Sequence, residues 1–188
     1  NRLAVLRGDH VLVVGQGPIG LIFTRLLSLR GVNVIATDLL EARLKLAQHS
    51  GARFVLNASG RDVEERVTRI TRRKMLDAAI IAVPSDESIR SAEKLTRGGA
   101  PILLFAHTRR GGELSLDPSS ICVDEKDLIG SYSSDVTLQK KVARLIFSRR
   151  LDVRPLISHE FPLEKSKEAI QLAATPTSDS LKIVVSQI

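Results

Sequence analysis

Val11-Leu12-Val13-Val14-Gly15-Gln16-Gly17-Pro18-Ile19-Gly20, followed downstream by Val34-Ile35-Ala36-Thr37-Asp38, decides the fold. A short β-branched strand runs into a turn of three glycines, a helical pattern leaves it, and a second buried-looking strand ends in a carboxylate. Each residue of the turn has a physical task. Gly15 can take the backbone angles that turn a strand sharply into a helix. A side chain at Gly17 would stand where a diphosphate approaches the main chain, and Gly20 lets the helix lie close to the strand. Pro18 suits the first helical position, where its missing N–H wastes no donor. No Ser, Thr, Asp or Asn immediately precedes it as a cap, so the first-turn N–H groups are left for an anion at the positive end of the helix dipole.

The spacing predicts a helix over 18–30. Ile19, Ile22, Phe23, Leu26 and Leu27 form the apolar stripe expected to face the sheet, and Gly31 supplies the stop. Asp38 follows about 20 residues after the turn, the separation of a ribose-binding acid. A carboxylate there accepts from two ribose hydroxyls and repels a 2′-phosphate, so NAD is expected over NADP. Arg43, about one helical turn further, reads equally as a contact to the adenosine ribose and as a solvated helix charge. The competing reading, a bare strand–helix turn with Asp38 as a helix cap, leaves the three glycines and the distant acid as coincidences.

Composition bounds the rest. The 188 residues are 43% hydrophobic and 26% charged, as in a globular chain. No stretch has the uncharged length of a membrane span, and residues 1–7 lack the apolar core of a signal peptide, so no membrane partner is expected. The lack of an initiator Met reads as a fragment or processed chain. One cysteine, Cys122, excludes an internal disulfide framework and fits a reducing compartment, so the expected localisation is cytoplasmic. The net charge of +7 is dispersed in short doublets and triplets, and aromatic content is 3%. With so little for base stacking, no nucleic-acid partner is expected.

Strand-like runs near 11–14, 32–37, 53–56, 78–83 and 101–106 alternate with helical patterns near 18–30, 41–50, 63–72 and 87–97. Ser85 or Asp86 can cap the fourth helix, and Gly98-Gly99 ends it. Such alternation predicts an α/β fold: a Rossmann doubly wound parallel sheet with helices on both faces, a three-layer sandwich. Residues 107–120 read as a loop, 128–132 as a strand and 136–149 as a helix. The tail reads as a short extension at 155–157, a helix near 163–173 and a strand at 181–186. The whole of 1–188 is expected to be one domain, with its core over about 8–150 and an extension over 151–188.

The ordered set Arg7-Gly8-Asp9-His10 before the first strand, Ala47-Gln48-His49-Ser50-Gly51-Ala52, Gly98-Gly99, Leu128-Ile129-Gly130-Ser131-Tyr132, Pro155-Leu156-Ile157-Ser158-His159 and Phe161-Pro162-Leu163-Glu164 resembles the cofactor domain of the medium-chain zinc-dependent alcohol, sorbitol and threonine dehydrogenases. The resemblance covers nearly the whole chain. It implies that Gly15, Gly17, Pro18, Ile19 and Gly20 line the pyrophosphate and Asp38 the ribose. It further implies that Val83 and Pro84 flank the ribose and nicotinamide, Phe105 and Ala106 lie along the nicotinamide, and Ser131 to Ser133 meet its carboxamide. Lys182 matches a basic position that meets the pyrophosphate; as a residue it reads equally as a surface cation. Val83-Pro84-Ser85 departs from the Thr-Gly pair common in relatives.

By the same resemblance the catalytic zinc, the pocket for a small alcohol or polyol substrate and the proton relay sit on a preceding domain, which the 151–188 extension would meet. Zinc there would polarise the substrate hydroxyl, and hydride would pass from carbon to nicotinamide. This chain alone would bind cofactor without catalytic competence, and no catalytic or metal-ligating residue is assigned to it. Cys122, His10, His49, His107 and His159 lack the spacing of a zinc set. His107 reads first as a loop residue and second as a cofactor contact; His159 reads as a structural position. Relatives imply a homodimer or homotetramer. The alternative is an NAD(H)-sensing regulatory module without catalysis, which the glycine turn and Asp38 fit equally; a flavin or methyl-donor site is a weaker third reading.

Overall fold

A computed structural model describes residues 3–60, 62–106, 110–132 and 135–187. It divides into two compact units, Asn1–Ser133 and Ser134–Ile188. The first unit is built around a six-stranded sheet of order β3-β2-β1-β4-β5-β6. Its strands are β1 (His10–Val14), β2 (Asn33–Asp38), β3 (Phe54–Asn57), β4 (Ala78–Ile81), β5 (Pro101–Leu104) and β6 (Asp127–Gly130). Every pairing is parallel. This is the Rossmann order, whose strand sequence reverses between β1 and β4, so that a ligand crevice opens beyond their carboxyl ends.

The crossovers are α1 (Pro18–Leu29), α2 (Glu41–His49), α3 (Val63–Ile70) and α4 (Asp86–Leu95). Central strands of such a sheet are covered on both faces and need apolar residues at successive positions. Val11, Val13, Val34, Ile35, Ala36, Ala78 and Ala79 are accordingly fully buried. On one face Leu12, Ile35, Leu56, Ile81 and Ile102 pack with Val67 of α3 and with Ile89, Ala92 and Leu95 of α4. Each large side chain so enclosed contributes about 1.5–3 kcal/mol. Ser85 is the N-cap of α4, its hydroxyl accepting the Ser88 N–H at 3.2 Å.

Three local expectations differ. The face of α1 that is buried is Gly20, Leu21, Thr24 and Leu27, whereas Ile19 is 46% exposed. The helix is turned so that a polar residue, Thr24, lies inside, where its hydroxyl has a partner. Within the stretch read as loop, α5 (Pro118–Cys122) forms, with Asp117 accepting the Ser119 N–H and Pro118 at the first turn. And α3 ends at Ile70, because Arg72 and Arg73 adopt φ of 54° and 62°, outside helical space.

The second unit holds α6 (Gln139–Phe147), which the sequence reading groups with the Rossmann core, then β7 (Ile157–Pro162), α7 (Ser166–Ala174) and β8 (Lys182–Ser186). The 155–157 stretch is a short 3-10 turn over Arg154–Leu156 that leads into β7. β7 and β8 pair in parallel as a separate two-stranded sheet. Among the described residues no helix is long and apolar enough to cross a membrane.

Candidate cofactor site

The turn between β1 and α1 has the geometry its glycines require. Gly15 sits at φ +87°, and a Cβ there would lie 2.3 Å from Val83 Cγ1. A Cβ on Gly20 would fall 1.8 Å from the Gly15 carbonyl oxygen. The third glycine is therefore demanded by the main chain itself, at the point where helix and turn touch. Gly17 differs from both. Its φ of −68° suits any residue, and a Cβ there would meet nothing within 4 Å. The open space beside Gly17 is the approach a diphosphate needs.

Gly17 is also the N-cap of α1, with no side-chain cap and no acid in the first turn. The helical ladder begins with Leu21 N–H donating to the Gly17 carbonyl at 2.9 Å. That places the Ile19 and Gly20 N–H groups ahead of it, beside Pro18, at the positive end of the helix dipole. An anion is the chemical complement of this end.

Asp38 closes β2 and is 7% exposed. One carboxylate oxygen accepts the Gln16 N–H at 2.7 Å and the other the Leu40 N–H at 3.0 Å. A carboxylate offers about four acceptor positions, so two are left for a diol. Asp38 is not the cap of α2: that position is Leu40, without a side-chain cap. Arg43 reaches back from α2, its Nη1 3.8 Å from Asp38. Its Nε is buried without a hydrogen-bond partner. A guanidinium held so close to an acid, with an unspent donor, has capacity for a further acceptor.

A cavity of about 810 Å³ is lined by Gly15, Asp38, Arg43 and Val83, together with Leu39, Leu40, Gly60 and Ser85. Four of the expected residues therefore share one cavity. Pro84 follows Val83 beyond β4 but is not among its lining residues. Phe105 and Ala106 follow β5, and both of their N–H groups donate to the Ile81 carbonyl, at 3.0 and 3.2 Å. The Phe105 ring packs edge-on against Phe23 of α1, centroids 5.0 Å apart. Ser131 N–H donates to the Leu104 carbonyl at 3.1 Å, just past β6. These residues end neighbouring strands of one sheet without lining that cavity. Lys182 opens β8 in the second unit and is exposed. His107 and Ser133 lie outside the described residues.

Sequence reasoning passed over Gln16. It is fully buried: its Nε2 donates to the Val13 carbonyl at 2.9 Å and its Oε1 accepts from the Thr24 hydroxyl at 2.9 Å. The available signal was a large amide between two glycines, a residue too polar to be buried there without designated partners. Among the described residues no group of three or more His, Cys, Asp and Glu could hold a metal ion, and Cys122 is exposed. The free N–H groups of the turn and the Asp38 carboxylate suit a dinucleotide, whereas a catalytic zinc needs about three clustered ligands.

Residues 18–148 match the family model described as zinc-binding dehydrogenase. Sorbitol dehydrogenase of Bos taurus is 31% identical over 91% of this chain and 48% of its own length. A protein from E. coli CFT073 described as a short chain alcohol dehydrogenase, complexed with NADH, superposes at TM-score 0.85 with 24% identity, over 95% of this chain and 52% of that one. A protein from Sinorhizobium meliloti 1021 bound to NADP superposes at TM-score 0.89 with 21% identity, over 98% of this chain and 54% of that one. The chain spans about half the length of the curated relatives it matches. With well over half of its residues inside the family match, this chain belongs to the zinc-binding dehydrogenase family.

Proposed function

We propose that this chain binds NAD(H) and serves as the cofactor-holding part of an oxidoreductase acting on the CH–OH group of a small alcohol or polyol. The observation that carries the reading is the pairing of an uncapped helix terminus with a buried, half-satisfied carboxylate, joined directly by the Gln16 N–H bond to Asp38 at 2.7 Å. Gly15, Gly17, Pro18, Ile19 and Gly20 would cradle the diphosphate through main-chain N–H groups. Asp38 would accept from the adenosine ribose hydroxyls, and Arg43 would donate to the same sugar. Val83, Pro84, Phe105, Ala106 and Ser131, at the ends of β4, β5 and β6, would border the nicotinamide half. Lys182 is proposed as a counter-charge to the pyrophosphate.

Bound nicotinamide supplies a two-electron hydride acceptor. The chain's own residues hold it in place: the glycine turn fixes one end, the strand ends shape the other, and apolar Val83 and Phe105 keep water from it. A 2′-phosphate at the same ribose would be pressed against the nearly enclosed Asp38 carboxylate, so we infer a preference for NAD over NADP. The relatives are dehydrogenases, which supports an enzyme over a regulatory sensor. The zinc ligands are proposed to lie outside this chain, on the part against which residues 151–188 would pack. A single cysteine supports a cytoplasmic setting, and a homodimer or homotetramer is proposed on the family resemblance alone.

Isothermal titration of the folded chain with NADH and with NADPH tests this. Saturable binding of NADH, tighter than that of NADPH, is expected. No heat with either cofactor, from a chain that still melts cooperatively, would overturn the proposal.

A further inference from the structure

A buried polar cluster beside the turn uses two side chains, of Gln16 and Thr24, that do not line the cavity. Gln16 and Thr24 are each fully buried. A threonine inside a helix ordinarily returns its hydroxyl to the carbonyl four residues back. Thr24 instead donates it to Gln16 Oε1 at 2.9 Å, eight residues earlier in the chain and outside the helix. The other end of the same amide donates from Nε2 to the Val13 carbonyl at 2.9 Å. The Gln16 side chain thus ties the end of β1 to the second turn of α1. Its main-chain N–H meanwhile donates to Asp38 at 2.7 Å. Gly20 sits within this clasp: a Cβ there would lie 3.7 Å from Gln16 Nε2.

We propose that Gln16 and Thr24 are positioning residues for the cofactor: their buried bond locks the glycine turn onto α1, and so aims the Gln16 N–H at Asp38 and the Ile19 and Gly20 N–H groups at the diphosphate. The inference rests on the dinucleotide reading above and adds residues that neither motif nor cavity identifies. A Gln side chain has three torsions, and anchoring both of its amide atoms leaves its own peptide unit little freedom. That peptide unit is the link between Gly15 and Gly17, where the cofactor approaches. With the anchor gone, the turn can still form, since its glycines and the β1–β2 ladder remain. The direction of its donors would no longer be fixed, and directed, preorganised donors are what make such a terminus bind.

The test uses the full chain with NADH as the probe, read by titration and by thermal melting, in Thr24→Val, Thr24→Ser, Gln16→Met and the Gln16→Met/Thr24→Val double variant. Thr24→Val is expected to weaken NADH binding about tenfold. Thr24→Ser keeps the hydroxyl and should stay within about twofold of the parent. The double variant replaces both polar partners by apolar groups of similar shape, so it should regain much of the melting temperature lost by the single variants. Its affinity should stay low. Affinity that recovers with melting temperature in the double variant, or a Thr24→Val chain that binds like the parent, would overturn the proposal. Failure of the parent chain to bind NADH is a different result: it refutes the dinucleotide reading, and this inference falls with it.

Discussion

Gly17→Ala is the substitution that best separates folding from cofactor binding at this turn. At Gly15 and Gly20 a side chain would collide with the protein; at Gly17 it would enter empty space, from a backbone at φ −68° and ψ −175° that alanine adopts freely. Two small folding effects oppose one another. Alanine restricts the unfolded chain, which stabilises by about 0.4–1 kcal/mol. It is also a poorer N-cap than glycine, by up to about 1 kcal/mol. The melting temperature of a chain this size should then move by no more than about 4 °C. Binding has no such balance. The methyl group occupies the diphosphate's path and displaces it from the N–H groups of residues 19 and 20. Losing one charge-assisted hydrogen bond costs about 1.5–3 kcal/mol, an affinity drop of about 10- to 100-fold. Differential scanning fluorimetry and NADH titration on the same preparation measure both quantities. A variant that binds NADH as tightly as the parent, with an unchanged melting temperature, refutes the claim that the diphosphate passes over Gly17.

Gly20→Ala forces a Cβ to within 1.8 Å of the Gly15 carbonyl oxygen; overpacking of this kind costs about 1–3 kcal/mol, so its melting temperature should fall by about 2–12 °C, and an unshifted melt would contradict the close approach. Asp38→Gly removes the charge facing the ribose, and since two unit charges 4 Å apart interact by about 4 kcal/mol at an intermediate dielectric, the ratio of NADP to NAD dissociation constants should drop at least about tenfold; an unchanged ratio rules out the assigned role. Ile35→Ala empties a fully buried position at the centre of β2 and should destabilise by about 2–5 kcal/mol in urea titrations; a loss below about 1 kcal/mol would contradict the packing. Asp152 is held at about 2 rather than 3.8, chiefly by the side-chain hydrogen bond from Arg154 and next by that residue's main-chain N–H. A folded value below the unfolded one means that the contribution is complete above about pH 4 and is lost as pH falls through about 2. The small melting difference between the parent and Asp152→Asn should therefore be constant from about pH 7 to 5 and shrink as pH falls from about 4 through 2; a difference as large at pH 2 as at pH 7 would refute the pairing.

The glycine turn was legible because two of its glycines meet backbone constraints that no other type satisfies as well. Gly15 needs positive φ, Gly20 needs no Cβ, and Asp38 ends a strand that is otherwise apolar. The sheet was legible from runs such as Val11 to Val14, which only a strand covered on both faces can bury. What escaped depends on tertiary partners. The stripe assigned to α1 was rotated because Thr24 is buried, and a buried threonine is admissible only once Gln16 is seen to accept its hydroxyl proton. β7 escaped because Ser158, His159 and Glu160 look like loop residues in sequence, whereas β8 supplies the ladder that makes them a strand. α5 carries its own signal, Asp117-Pro118, but it is too short for a periodic pattern to show. In the site, Asp38, Gly15, Val83 and Arg43 converge on one cavity. Phe105, Ala106 and Ser131 followed from resemblance alone, and local chemistry gives them no signature.

The most direct test of the central claim is a crystal structure of the chain with saturating NAD. The account predicts the diphosphate against the main-chain N–H groups of residues 19 and 20, with both adenosine ribose hydroxyls within hydrogen-bond distance of the Asp38 carboxylate. A dinucleotide bound elsewhere, or a crevice filled by solvent at saturating cofactor, would contradict it.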